Sequence, residues 1–195
     1  MAEMNSYRRS PELLDRDASI LLVVDMQEKL LPLIPGSEKL IRNCRKLITA
    51  ANLFSVPVCS TEQYPKGLGQ TTPELKSLLG QLPEKQRFSC AEAIHDRIQQ
   101  YKEQGRDQFV LCGIESHVCV LQTAFDLLSS GFRVYPVADS VASRGRIDYE
   151  IALRRMSDAG ATPVTLESVM FEWCVSSEDP NFKQISASIK EQENG

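Results

Sequence analysis

Short apolar runs alternate along this chain with segments of helical periodicity, and this alternation is the feature that most restricts its fold. Each run is bounded by turn residues and is apolar almost throughout, as expected of strands buried on both faces of a parallel sheet. Strands that are linked by helices form βαβ units. The pattern therefore predicts an α/β fold, a single-domain Rossmann-like three-layer sandwich with a mainly parallel central sheet. The predicted strands are 19–25, 56–61, 108–114, 133–139 and 161–166.

Helical periodicity is clearest after the first strand, where apolar residues between 40 and 51 lie on one face of a helix. Asp148 and Ser116 are predicted N-caps of later helices. Gly131 and Gly160 lie where helix C-termini commonly need a residue with positive φ. The further predicted helices are 73–80, 91–104, 117–130, 148–159 and 181–191.

The chain has 195 residues and 42% hydrophobic content, which suits one core but not two domains of ordinary size. We expect one domain over residues 18–191, preceded by a flexible N-terminal segment over residues 1–17. The net charge of −4 provides no basic stripe that could neutralise phosphates. Nucleic acid and anionic membrane surfaces are therefore not expected as partners, whereas a small-molecule substrate is.

Neither a targeting segment nor a metal site is expected. The first apolar run, 20–24, ends in Asp25, and no segment approaches the roughly 20 apolar residues that a membrane span needs. We therefore expect a cytoplasmic protein. Its six cysteines are scattered without a CxxC pair, and only two histidines are present, so reduced thiols are expected, with no metal and no cofactor.

Two candidate catalytic residues follow predicted strands. Asp25 closes the first strand, at the carboxyl edge of the sheet where open α/β folds bind ligands, although an aspartate there can also cap the following turn. Cys119 lies in the predicted first turn of a helix, where backbone N–H groups favour a thiolate and could hold an oxyanion. It could equally be a small buried core residue.

Lys85 is the third candidate. Beside Glu84 and Arg87 it would ordinarily be a solvated surface charge. However, a nucleophile needs a base and a cation that stabilises the developing charge, so Asp25, Lys85 and Cys119 form a chemically complete set. His117 is a poorer base for Cys119, because side chains two residues apart on a helix point in different directions.

Three segments resemble the isochorismatase-like cysteine hydrolases. LLVVDMQ contains Asp25, EKQRFS contains Lys85, and GIESHVCVLQTA contains Cys119. The resemblance covers roughly residues 18–175, and TEQYPKGLG together with KxxFS is similar to the branch of isochorismatase domain-containing proteins.

The resemblance implies that Asp25, Lys85 and Cys119 form a catalytic triad that cleaves a small amide or related C–N bond through a thioester. It further implies a cis peptide bond between Ile114 and Glu115, with the N–H groups of Glu115 and Cys119 forming an oxyanion hole. Members of the family also assemble through their helices, so a homo-oligomer is expected, and the segment 171–189 is the candidate interface. Gln63, Tyr64 and Phe88 are predicted to line the substrate pocket.

Departures from the family pattern leave the substrate open. Nicotinamidases bind a metal through an Asp-x-His motif after the second strand, but this chain has STEQYPKG there. The enzymes that act on isochorismate do not depend on a nucleophilic cysteine, which this chain retains. One alternative is a non-catalytic oligomeric interaction module or thiol redox sensor on the same fold. A flavodoxin-like nucleotide binder fits less well, because the turn after the first strand lacks an early glycine.

Overall fold

A computed structural model describes residues 9–191 and confirms the α/β prediction. Five strands form one sheet in the order β3-β2-β1-β4-β5, and every neighbouring pair is parallel. Helices cover both faces of this sheet, as parallel sheets require. The strands are β1 (Ser19–Val24), β2 (Val58–Gln63), β3 (Glu84–Lys85), β4 (Gln108–Ile114) and β5 (Arg133–Ala142).

The strand register brings the carboxyl ends of β1, β2 and β4 to the same edge of the sheet. Val24 pairs with Thr61 on one side and with Gly113 on the other. All six residues of β1 and all seven of β4 are buried, which explains why both are apolar after their first residues, Ser19 and Gln108. Residues that directly follow these strands therefore meet at one edge.

Eight α-helices complete the described part of the chain. Two hydrophobic clusters form the core, one on each face of the sheet, with Leu47 and Trp173 in the first and Phe109 and Leu127 in the second. The helices are α1 (Ser37–Leu53), α2 (Pro65–Leu68), α3 (Pro73–Lys76), α4 (His95–Glu103), α5 (Leu121–Ser129), α6 (Arg146–Asp158), α7 (Leu166–Cys174) and α8 (Phe182–Lys190). A 3₁₀ turn spans Leu31–Leu33 and a π-helical turn spans Ser116–Val120.

Some sequence predictions of elements were wrong. The strand predicted at 161–166 is reduced to one parallel bridge, Val137 to Val164, with backbone hydrogen bonds from Thr162 and Val164 to β5, before α7 begins at Leu166. The helix predicted at 73–80 ends at Lys76. The two-residue strand β3 and the helix α7 were not predicted.

The predicted helix ends agree with the structure in part. Gly131 and Gly160 have φ values of 84° and 102°, as predicted for residues after helix C-termini. Neither predicted N-cap is found, because Ser116 begins the π-helical turn and Asp148 lies inside the first turn of α6, whose N-cap is Gly145.

The segment before β1 packs on the domain from Arg9, the first described residue, which donates hydrogen bonds to the carbonyl oxygens of Leu14 and Glu172. Residues 1–8 of the predicted flexible segment lie outside the described range. Leu14 is fully buried, and its N–H donates a hydrogen bond of 2.7 Å to Glu172 Oε2. Between residues 9 and 191, no helix combines the length and the apolar character that crossing a membrane requires.

Candidate active site

Asp25, Lys85 and Cys119 meet at the carboxyl edge of the sheet, although they are far apart in the sequence. Asp25 directly follows β1, Lys85 ends β3, and Cys119 lies in the π-helical turn after β4. All three are buried, with exposed fractions of 0%, 5% and 7%. The order of the strands therefore accounts for their convergence.

The ammonium of Lys85 lies between the other two side chains. Its Nζ is 2.7 Å from Asp25 Oδ2 and 3.5 Å from Cys119 Sγ. It also donates hydrogen bonds to Gln63 Oε1 at 2.6 Å and to the Phe88 carbonyl oxygen at 2.8 Å. Burial lowers the pKa of Lys85, but the charge and hydrogen bond of Asp25, together with the neighbouring Cys90 and Cys119, outweigh it and raise the pKa above its ordinary value.

The two carboxylate oxygens of Asp25 have different surroundings. Oδ1 accepts a hydrogen bond of 2.9 Å from Thr61 Oγ1. Oδ2 contacts the Lys85 ammonium but receives no well-aligned side-chain or backbone hydrogen bond from residues 9–191. Asp25 has a φ of 48°, a left-handed conformation uncommon for a non-glycine residue, and such strain is concentrated at functional sites. Oδ2 is therefore the oxygen with capacity to accept a proton.

The Cys119 thiol does not have the lowered pKa that a position at a helix N-terminus predicts. Burial and the adjacent Asp25 carboxylate raise its pKa well above the ordinary range, and Lys85 opposes this effect only in part. Cys119 lies in the first turn of the helix, as predicted, within the π-helical turn that continues into α5, but burial and Asp25 outweigh the effect of this position. The raised pKa favours a protonated thiol beside the Asp25–Lys85 ion pair.

Hydrogen bonds fix the turn that contains Cys119. Thr123 Oγ1 donates to the Cys119 carbonyl oxygen at 2.7 Å and accepts from the Cys90 N–H at 2.8 Å. The peptide bond between Ile114 and Glu115 is cis. His117 Nδ1 lies 3.0 Å from Ser143 Oγ, so this ring bonds to the loop after β5.

The Glu115 carboxylate holds the loop after β5 against the same turn. Its Oε2 accepts hydrogen bonds from both the backbone N–H and the Nε of Arg144, each at 3.0 Å. The carboxylate therefore neutralises the Arg144 guanidinium, while the Glu115 backbone remains in the turn beside Cys119.

The three residues predicted to line a pocket are placed differently from one another. Gln63 is buried, and its side chain bonds to Lys85 and to the Gln86 carbonyl oxygen. Tyr64 and Phe88 are exposed, at 47% and 52%. Tyr64 directly follows β2, and Phe88 lies three residues after Lys85. The exposed aromatic rings of Tyr64 and Phe88 are thus available to a ligand, whereas the Gln63 side chain is committed to Lys85.

Two polar residues of the site, Thr61 and Gln27, were not identified from the sequence. Thr61 lies in the buried carboxyl half of β2 and bonds to Asp25, while Gln27 is fully buried two residues after Asp25. The signal that could have identified them is a polar residue at the end of a buried strand, where an unpaired polar group would be costly.

Grooves of the described structure lie both beside Lys85 and away from the three buried residues. A groove of about 620 Å³ lies between Arg9 and Phe171, away from the three buried residues. A smaller groove of about 330 Å³ runs beside Gln86 and Arg87 on the segment that contains Lys85. Within residues 9–191, no group of three or more His, Cys, Asp or Glu side chains is arranged to hold a metal ion.

The chain is similar to several known proteins. The family model for the isochorismatase domain matches residues 19–168. Mouse isochorismatase domain-containing protein 2A is 38% identical over 178 residues, covering 90% of this chain and 84% of the relative. A structure described as the MAR1 ribonuclease of Caenorhabditis elegans superposes with a TM-score of 0.86 at 37% identity, covering 94% of this chain and 95% of that one.

A bacterial structure provides a further comparison. The Escherichia coli YcaC protein, described as an octameric hydrolase of unknown specificity, superposes with a TM-score of 0.79 at 25% identity. The match covers 94% of this chain and 99% of the bacterial one. Together with the match of the family model, these similarities show that the chain belongs to the isochorismatase-like hydrolase superfamily.

Proposed function

We propose that the protein is a cysteine-dependent hydrolase that cleaves a small-molecule amide or a related C–N bond. The observation that carries this proposal is the position of Lys85 Nζ, 2.7 Å from Asp25 Oδ2 and 3.5 Å from Cys119 Sγ, in a buried site. A base, a cation and a nucleophile in contact form the minimum set for covalent catalysis by a thiol.

The mechanism begins with a protonated thiol. Asp25 Oδ2 accepts the Cys119 proton as the sulfur attacks the carbonyl carbon, and Lys85 stabilises the negative charge that develops on sulfur. The N–H groups of Glu115 and Cys119 bind the oxyanion of the tetrahedral intermediate. The C–N bond then breaks, the amine leaves with the proton from Asp25, and a thioester remains on Cys119.

Hydrolysis of the thioester completes the cycle. Asp25 takes a proton from a water molecule, whose oxygen attacks the thioester carbon. The C–S bond breaks, Cys119 recovers the proton, and the carboxylic acid leaves. The raised pKa of Cys119 fits this sequence, because the thiol keeps its proton until a substrate is present to react.

The substrate that fits the surroundings of the triad is small and partly apolar. Tyr64 and Phe88 expose aromatic rings on the segments that follow β2 and β3. We further propose that the chain forms a homo-oligomer through the segment 171–189, a proposal supported by the octameric assembly described for the bacterial relative. Light scattering tests this assembly, and a monomer at micromolar concentration would contradict it.

The test of the activity is a panel of small aliphatic and aromatic amides, read out as amine or ammonia release and as acyl-enzyme by intact mass. We expect Cys119→Ala to abolish both signals and Asp25→Asn to abolish product release. Cys44→Ala is the matched control, because Cys44 is equally buried but lies in the core cluster that excludes Cys119. Release that survives Cys119→Ala would contradict the mechanism.

An RNA substrate belongs in the same experiment, because the Caenorhabditis elegans relative is described as a ribonuclease. RNA cleavage without amide hydrolysis would replace the proposed substrate class. If no substrate turns over and peroxide oxidises Cys119 reversibly, the thiol redox sensor becomes the better description.

A further inference from the structure

We infer that Gln63 is a positioning residue, which orients the Lys85 ammonium toward Asp25 and Cys119 and does not bind substrate. The inference rests on the proposed function, since it assigns Lys85 a role in that reaction. It is drawn from the hydrogen bonds of Lys85, from the amide orientation of Gln63 and from the contacts of Gln27.

The hydrogen-bond capacity of Lys85 is nearly exhausted by groups outside the triad. An ammonium has three N–H donors. Outside the triad they bond to Gln63 Oε1 at 2.6 Å and to the Phe88 carbonyl oxygen at 2.8 Å, with a longer contact of 3.3 Å to the Arg87 carbonyl oxygen. The remaining N–H faces Asp25 and Cys119. Gln63 therefore determines which way the ammonium points, and it does so with a side chain rather than with the backbone.

The amide of Gln63 is itself held in one orientation. Its Nε2 donates a hydrogen bond of 2.8 Å to the Gln86 carbonyl oxygen, which leaves Oε1 to accept from Lys85. Gln63 pairs with Lys85 in the parallel register of β2 and β3. Its exposed fraction is 8%, so little of the residue is available to a ligand.

Gln27 supports Gln63 from the end of β1. Its Oε1 accepts from the Gln63 N–H at 2.8 Å, and its Nε2 donates to the carbonyl oxygens of Gln63 at 3.0 Å and Gly69 at 2.7 Å. Gln27 lies two residues after Asp25 and is fully buried. A continuous set of hydrogen bonds thus links the segment that carries Asp25 to the ammonium of Lys85.

The orientation of Lys85 matters most when the thiol loses its proton. Once Asp25 Oδ2 is protonated it attracts the ammonium less, and the thiolate of Cys119 becomes the nearest anion. An ammonium that Gln63 and the Phe88 carbonyl hold in place can then stabilise the thiolate without moving. Without Gln63, carbonyl oxygens alone hold the ammonium, so it can move away from Cys119 and the thiolate loses stabilisation.

The test is the rate at which iodoacetamide alkylates Cys119, measured across alkaline pH by mass spectrometry of the peptide that contains it. We expect Gln63→Met to slow alkylation about tenfold at a given pH, equivalent to a rise of about one pKa unit. Gln63→Asn retains the amide but shortens the side chain, so it should slow alkylation in the same direction. Gln81→Met is the matched control, since Gln81 accepts from Arg97 at 2.9 Å outside the site.

A double-mutant cycle separates positioning from a general structural role. In a Lys85→Met background, Gln63→Met should have no further effect on the alkylation rate, because the ammonium that it orients is gone. Trp173 fluorescence verifies that each variant is folded. An unchanged alkylation rate in Gln63→Met, or equal effects with and without Lys85, would overturn this inference alone. Absence of amide hydrolysis in the unmodified protein would overturn the proposed function alone.

Discussion

Lys85 Nζ lies 2.7 Å from Asp25 Oδ2, and the two side chains are only 2% and 0% exposed. Ion pairs so deeply buried contribute little net stability, since desolvation offsets their attraction, but each partner depends strongly on the other. The pair therefore ties the stability of the domain to the residues proposed for catalysis.

We expect Lys85→Met to lower the free energy of unfolding by about 3–5 kcal/mol, because it leaves the Asp25 carboxylate buried without a cation. Replacing both residues, as Asp25→Asn with Lys85→Met, should cost less than the sum of the single changes. Urea unfolding followed by fluorescence of Trp173, the only tryptophan, measures these differences. Arg146→Met is the control, because Arg146 pairs with Glu150 on the surface. If Lys85→Met and Arg146→Met lowered the free energy of unfolding by equally small amounts, the buried pair would not have this structural role.

The raised pKa of Cys119 predicts opposite effects of its two charged neighbours. Asp25 raises this pKa and Lys85 lowers it, so Asp25→Asn should accelerate alkylation of Cys119 near neutral pH and Lys85→Met should slow it. In the unmodified protein the alkylation rate should still be rising with pH above about 8.5, because the pKa of Cys119 lies above this ordinary cysteine value. A plateau of the rate at lower pH would mean that the thiolate forms readily, contrary to this prediction.

Hydrolysis should respond differently from alkylation. Asp25→Asn increases the thiolate fraction but removes the base that accepts and returns the proton, so turnover should fall although alkylation accelerates. Measuring both rates on the same preparation separates the acidity of the thiol from catalysis.

The convergence of the site was predictable from the sequence because it depends on strand ends. Asp25 and Cys119 both follow apolar strands, and the carboxyl ends of parallel strands share one edge. The place of Lys85 came from family resemblance, since the two residues of β3 are too few to show a periodic pattern.

The hydrogen bonds around the site could not be predicted in the same way. Whether Gln63 faces a ligand or Lys85 depends on the register of β2 and β3, which periodicity does not specify. The acidity of Cys119 was wrongly predicted for a related reason, because the sequence shows neither the burial of the thiol nor the carboxylate beside it.

The packing of Tyr64 against Gly67 allows a test of whether the Tyr64 ring lines the pocket beside Cys119. A Cβ added to Gly67 would overlap the Tyr64 ring, so Gly67→Ala should displace that ring. We expect a change of about two- to tenfold in the ratio of Cys119 alkylation by N-benzylmaleimide to that by N-methylmaleimide, as for a lost aromatic contact. Tyr64→Ala should give a similar change. Gly80→Ala is the control, because a Cβ there meets no atom within 4 Å. An unchanged ratio in both test variants would remove Tyr64 from the pocket.

At Gly113, β4 passes close to β1, beside Val24, the residue that precedes Asp25. Its φ is 112°, and an added Cβ would overlap the Val24 carbonyl oxygen and lie 2.7 Å from the Val24 nitrogen. Because two paired backbones cannot separate without breaking the sheet, we expect Gly113→Ala to lower the free energy of unfolding by at least about 2 kcal/mol. Gly160→Ala is the matched control, since Gly160 has a φ of 102° but meets no atom within 4 Å. It isolates the conformational strain, which should cost about 1 kcal/mol. Urea unfolding compares the two variants, and equal losses would mean that the approach of the strands at Val24 imposes no constraint beyond φ.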